Sequence, residues 1–247
     1  MSIDSEKDLK KLAAIGKIVA VVRDEMVKQV KPGITTKELD EIGKRVLRNY
    51  GAHSAPMCEY NFPGYTCISV NDEAAHGIPG AKILKRGDSV NIDVSAELNG
   101  YFADTGATVV VDNADQLKNN LCECSKSALL KAIAKVKAGT PINRIGKAIY
   151  DEAASNGFKV IKNLAGHGIG RRLHEEPSRI LNYFDKRDRK KLTYGLVLAV
   201  ETFVSTGARY VIQDRDGWTL RTPDKSIVAQ FEHTVVVTDN TPIILTI

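Results

Sequence analysis

No stretch of this 247-residue sequence approaches the ~20 consecutive apolar residues that a helix needs to cross a bilayer. The opening segment, MSIDSEKDLKKLAAIGKIVA, is charged and periodic, and it is not built like a secretory signal. Cysteine is scarce. The four present, at 58, 67, 122 and 124, match no zinc spacing such as a paired C-x-x-C. Cys122 and Cys124 stand two apart in a helix-like stretch, where they point to different sides. A reduced cytoplasmic protein follows. Linker composition and low-complexity tracts are missing. A strong charge of either sign is missing too. The net charge is +5, and the short run KRDRKK (Lys186 to Lys191) reads as a solvated loop rather than a nucleic-acid site. What remains is 43% hydrophobic and 26% charged residues, the balance of a soluble globular protein long enough for a sizeable core.

The chain repeats its own plan. Leu12, Ile15, Val19, Val22 and Met26 recur at helical spacing, and Lys31-Pro32-Gly33 is expected to end that helix. A second helix opens with a capping-box pair, Thr35 and Glu38, and carries Leu39, Ile42 and Val46 on one face. After residue 117 the pattern restarts, with Leu121, Leu129, Ile133 and Val136 marking another long helix. Lys31, Gly33 and Gly51 then meet Lys137, Gly139 and Gly157 at a constant offset of 106. Aligning GDSVNIDVS, from Gly87, with GLVLAVETF, from Gly195, sets Asp93 on Glu201 at an offset of 108. Each of these strands leads on to a second that carries another carboxylate, Asp104 before one β-branched run and Glu232 before the other. The expectation is one α/β domain over 1–247, of the α+β type, with halves of roughly 1–112 and 113–247. Short turns such as Leu98-Asn99-Gly100 make its sheet mostly antiparallel.

Period-2 alternation puts Val90, Ile92 and Val94 on one face and Asp93 on the other. A lone carboxylate is ordinarily a surface charge. Asp93 and Glu201, however, lie inside apolar strands, where an unpaired carboxylate is expensive. Four carboxylates converging where two related halves pack would repel strongly in a low-dielectric cleft. Two divalent cations ~3.5–4 Å apart would resolve this, and oxygen ligands with one imidazole suit Mn, Fe, Co or Zn. The stretch NLAGHGIGRRLHEEP supplies the imidazole. His167 sits among Gly166, Gly168 and Gly170, which let its loop pass close to ions and substrate. His174 follows seven residues later. His76, in AAHGIPG, shares His-Gly-Ile with His167 but at an offset of 91, so it is not its counterpart in the repeat.

The stretches CISVNDEAAHGIP, GDSVNIDVSAELNGYFADTG, GHGIGRRLHEEP and DGWTLRTPDKSIVAQFEHTVVVTDN, in that order, resemble the methionine aminopeptidases of type I over nearly the whole chain. The resemblance implies a pita-bread fold of two pseudo-symmetric halves, with a curved sheet covered by helices. It implies two divalent ions held by Asp93, Asp104, His167, Glu201 and Glu232, with Asp104 and Glu232 bridging. It makes His76 and His174 substrate contacts and lines a methionine pocket with Cys67, Phe62 and Trp218. It also implies a monovalent-cation site at backbone oxygens near Asn71, Glu73 and Val228. Three departures from the family pattern, Thr202 after Glu201, Leu173 before His174 and the stretch MCEYNFPGY around Glu59, are expected to reshape the substrate pocket. A fourth expected departure is the lack of an N-terminal zinc-finger or ribosome-docking extension.

The implied reaction is metal-assisted hydrolysis that removes an N-terminal methionine when the second residue is small. Glu201 would carry the proton, His174 would stabilise the oxyanion and His76 would hold the scissile peptide. Expected partners are nascent polypeptides and peptides with N-terminal methionine, with at most a transient contact with the ribosome, no membrane, and a monomeric enzyme. Two alternatives share the fold: a prolidase or aminopeptidase P-like peptidase, which normally carries an added N-terminal domain, and a binding module without catalysis.

Overall fold

The computed structural model describes residues 2–247. Among the described residues five α-helices form: α1 (Glu6–Lys28), α2 (Thr36–Asn49), α3 (Ala55–Tyr60), α4 (Gln116–Ile133) and α5 (Asn143–Ser155). The strands are β1 (His53–Ser54), β2 (Cys67–Val70), β3 (Glu73–Ala75), β4 (Ser89–Leu98), β5 (Tyr101–Val110), β6 (Lys159–Val160) and β7 (Ala165–Gly168). They continue with β8 (Glu175–Leu181), β9 (Val197–Ser205), β10 (Ile212–Gln213), β11 (Leu220–Arg221), β12 (Val228–Val236) and β13 (Ile243–Ile244).

Helix starts are chemically specified. Ser5 accepts from Asp8 N at the head of α1, and Thr35 and Glu38 form the reciprocal capping box of α2. Leu12, Ile15, Val19, Val22 and Met26 are all fully buried, each contributing ~1.5–3 kcal/mol of apolar burial. α1 stops at Lys28, before the expected Lys31-Pro32-Gly33. Gln29 N closes on Met26 O, and Gly33 then turns the chain at φ +91°.

Every strand pairing among the described residues is antiparallel. Asn99 and Gly100, at φ 54° and 79°, make the tight turn that folds β5 back on β4, with Leu98 opposite Tyr101. β4 has β5 along one edge, and β2 and β1 share the other. β9 is built alike, with β12 along one edge and β7 and β6 sharing the other. α1 packs on β4 and β5, and α4 packs on β9 and β12. Three glycine pairs, Gly33 and Gly139, Gly51 and Gly157, Gly87 and Gly195, all take positive φ, where a side chain would be strained. The carboxylate registers differ between the halves. Glu201 stands directly opposite Glu232, whereas Asp93 faces Gly106 and Asp104 faces Ser95, making the first pair diagonal.

β5 and β12 meet at the centre through side chains. Thr105 Oγ1 donates to Glu232 O at 2.9 Å, Thr108 Oγ1 to Gln230 O at 2.8 Å, and Thr234 Oγ1 to Asp104 O at 2.7 Å. Two backbone amides return the bonds, Asp104 N to Thr234 Oγ1 and Gln230 N to Thr108 Oγ1, both at 2.9 Å. This seam holds the two carboxylate-bearing strands side by side.

Candidate active site

A cavity of about 420 Å³ opens on the face of the strands turned away from α1 and α4. Asp93 reaches it from β4, Asp104 from β5, His167 from β7, Glu201 from β9 and Glu232 from β12. His76 follows β3 and His174 precedes β8; both line the same cavity. Phe62 follows α3, Cys67 begins β2, and Trp218 rides the turn between β10 and β11. All ten residues expected at the site therefore share one cavity.

Ligand atoms of Asp104, His167 and Glu232 lie within 4.8 Å of one another, and all three residues are buried. Asp93 and Glu201 stand outside this tight group while lining the same space. Asp104 Oδ1 and Glu232 Oε1 are buried with no hydrogen-bond partner. Such atoms are costly unless something else bonds them. His167 Nδ1 lies 3.0 Å from Gly168 O. A carbonyl oxygen only accepts, so Nδ1 carries the proton and Nε2 keeps a free lone pair, as a metal-ligating imidazole requires.

Electrostatics agree with this donor set. Burial raises all four carboxyls, Asp104 to about 6. In Asp93, Glu201 and Glu232 the charges of neighbouring carboxylates raise them further. Burial lowers His167 to about 3, keeping it neutral. The same desolvation lowers His76 and His174. Buried carboxyls in this state either hold protons or hold cations. Oxygen donors with one neutral imidazole fit a divalent transition ion. Burial and then the Asp93 and Asp104 charges push the Cys67 thiol well up, away from the thiolate form a nucleophile needs.

The far wall is apolar. Phe62 and Trp218 meet edge to face, centroids 5.2 Å apart, with Cys67 nearby in the lining. Of the three departures expected to reshape this pocket, two line it, Leu173 and the stretch MCEYNFPGY through its Tyr60 and Phe62. Thr202 lies on the opposite face of β9, where its hydroxyl is 2.8 Å from Ser125 Oγ on α4. Glu59 is exposed, and its neighbour Tyr60 lines the cavity instead. Near the expected monovalent-cation site, Asn71 O accepts from Val228 N, and the Glu73 carboxylate pairs with Lys82 and Arg221. The KRDRKK run is an exposed loop in which Arg187 pairs with Asp185.

Several site residues carried a readable signal that was missed. Ser95 and Phe203 each lie two positions beyond a strand carboxylate and line the cavity. Gln230 lies two before Glu232 and donates Nε2–H to Glu232 Oε2 at 3.0 Å, while Asn91 Nδ2 donates to its Oε1 at 2.8 Å. The period-2 rule that singled out Asp93 applies equally to these three. Tyr60, 2.7 Å from His174 Nδ1, had no such signal.

Residues 10–239 match metallopeptidase family M24. The chain is 53% identical over 247 residues to methionine aminopeptidase 2 of Bacillus subtilis (strain 168), covering 100% of this chain and 99% of that protein. It is 50% identical over the same length to a methionine aminopeptidase of Staphylococcus epidermidis (strain ATCC 12228 / FDA PCI 1200), covering 98% of that protein. A crystal structure of methionine aminopeptidase from Thermotoga maritima superposes with a TM-score of 0.95 at 35% identity, covering 100% of this chain and 99% of that one.

Proposed function

The chain belongs to metallopeptidase family M24 and has its pita-bread fold, and from that premise we propose that it is a methionine aminopeptidase, removing N-terminal methionine from peptides and nascent proteins. One observation carries the chemistry: two partnerless buried carboxylate oxygens, on Asp104 and Glu232, beside the neutral His167. In our reading Asp93, Asp104, His167, Glu201 and Glu232 would hold two divalent ions, drawn from Co, Mn, Fe or Zn. When bound, the ions supply Lewis acidity and lower the pKa of water towards neutrality.

The chain's own groups do the rest. Glu201 accepts a proton and passes it to the departing amine. His174 donates a hydrogen bond to the oxygen on which charge develops. His76 hydrogen-bonds the scissile peptide near its nitrogen. The methionine side chain packs against Cys67, Phe62 and Trp218, a sulfur and aromatic surface suited to a thioether. The free α-amine would be held at the ion-bearing end of the cavity, which limits cleavage to the first residue.

Finer assignments complete the proposal. The enzyme is of type I, one catalytic domain over 1–247 with halves meeting near residue 112. It works as a cytoplasmic monomer, with no more than passing ribosome contact, and takes a monovalent cation near Asn71, Glu73 and Val228. No helix among the described residues is long and apolar enough to cross a membrane.

Metal content tests the central assignment. Protein dialysed against Mn or Co should retain two equivalents per chain, measured by plasma mass spectrometry. Asp104→Asn and Glu232→Gln should each retain fewer. Unchanged content in both variants would refute the ligand set.

A further inference from the structure

His167 and His174 lie against each other with ring centroids 4.2 Å apart and planes tilted by 47°, yet their Nδ1 atoms meet opposite partners. His167 Nδ1 faces a backbone carbonyl, and His174 Nδ1 faces the Tyr60 hydroxyl at 2.7 Å. A phenol can donate, whereas a carbonyl cannot. Burial and the Glu59 charge raise the Tyr60 phenol, so it keeps its proton. Its hydrogen bond to His174 is the only one it makes among the described residues. That proton therefore has one protein acceptor, the Nδ1 lone pair.

We propose that Tyr60 is a positioning residue for His174: its hydroxyl donates to Nδ1, fixes the Nε2–H tautomer and so leaves a hydrogen-bond donor on the far side of the ring. The two adjacent imidazoles then hold opposite tautomers, His167 offering a lone pair and His174 a proton. This inference rests on the oxyanion-donor reading of His174. It gives that reading a cause, because the other tautomer would present a lone pair to a developing negative charge and repel it.

The local fold supports the role. Tyr60 is the last residue of α3, a helix started by the Ser54 side chain. Asn61 at φ 57° caps it in the left-handed region, with Asn61 N donating to Met57 O and Phe62 N to Pro56 O, both at 3.1 Å. One helix end thereby delivers two wall groups, Tyr60 onto His174 and Phe62 onto Trp218. Tyr60 is exposed, at 44%, so Tyr60→Phe removes the hydroxyl without opening a buried cavity.

Zinc-loaded protein labelled with ¹⁵N-histidine tests the tautomer directly by two-bond ¹H–¹⁵N correlation. Wild type should show His174 as the neutral Nε2–H form, and Tyr60→Phe should show it mixed with the Nδ1–H form. On Met-Ala-Ser, Tyr60→Phe should lower kcat about tenfold, the scale at which partners that fix an imidazole tautomer act, with KM nearly unchanged. In a His174→Ala background it should have no further effect. An Nδ1–H form in wild type, or an equal kcat loss without His174, overturns the proposal. If His174→Ala itself leaves kcat intact, the oxyanion reading fails, while the spectra still decide the tautomer independently.

Discussion

A methyl group at Gly106 would enter the space held by Gln230. An ideal Cβ there lies 2.0 Å from Gln230 Oε1 and 2.6 Å from its Nε2. The amide cannot swing clear without cost. It is buried, Asn91 donates to its oxygen at 2.8 Å, and its nitrogen donates to Glu232 at 3.0 Å. Displacing it forfeits two hydrogen bonds, ~0.5–1.5 kcal/mol each when Glu232 holds its proton. Gly106→Ala should therefore cost about 1–3 kcal/mol, lowering Tm by roughly 2–12 °C in a chain of this size. Differential scanning calorimetry of chelated protein reads this without a metal contribution. Gln230→Ala should cost less in the Gly106→Ala background than in wild type, because its bonds are already lost there and truncation removes the clash, with a coupling of ~1–2 kcal/mol. An unchanged Tm for Gly106→Ala, or strictly additive losses, would refute the reasoning.

Other expectations follow from the same geometry. His174→Ala should lower kcat by ~10²-fold or more with little change in KM, since an oxyanion donor acts mainly in the transition state; steady-state kinetics showing only a raised KM would exclude that role. Across Met-X-Ser peptides, turnover should persist for Gly, Ala and Ser at X and fail for Leu, Lys and Phe. His76 and His174 line the same cavity, and on the proposed reading they flank the scissile bond, where overpacking costs ~1–3 kcal/mol before any misplacement of the reacting atoms. Similar rates for Met-Leu-Ser and Met-Ala-Ser would contradict a narrow site. Tyr101→Phe should destabilise the protein in a pH-dependent way. The Tyr101 hydroxyl, 2.6 Å from Asp8, is the main cause holding that carboxyl below its ordinary 3.8. A depressed carboxyl stabilises above its unfolded pKa and loses that contribution as pH falls through the folded one. The Tm gap to wild type should be full at pH 6 and narrow below pH 4; a constant gap would deny the linkage.

Strand faces were the most legible part of the fold, because a two-residue period leaves no ambiguity once an apolar face is identified. Val90, Ile92 and Val94 are fully buried, and Asp93 on the other face reaches the cavity. Turn chemistry was equally plain in Asn99-Gly100 and in the positive-φ glycines of the matched segments. What stayed hidden depends on approach between distant segments. Nothing local in MCEYNFPGY brings Tyr60 to His174, 114 residues away. Nor does GlnPheGlu, at 230–232, reveal that its first member fills the space left by Gly106 across the seam. Thr202 misled for a related reason. Sequence adjacency to Glu201 suggested the pocket, but neighbouring strand residues face opposite ways, and its hydroxyl meets Ser125 of α4.

The central claim is that this cavity is a metal-dependent site for N-terminal methionine. Metal-loaded protein incubated with Met-Ala-Ser, Leu-Ala-Ser and Ala-Pro-Ala, with products identified by mass spectrometry and a chelated sample run beside it, tests that claim most directly. The expected result is free methionine from Met-Ala-Ser, little or no cleavage of the other two peptides, and no cleavage after chelation. Cleavage of Ala-Pro-Ala alone, or undiminished methionine release from the chelated sample, would contradict the account.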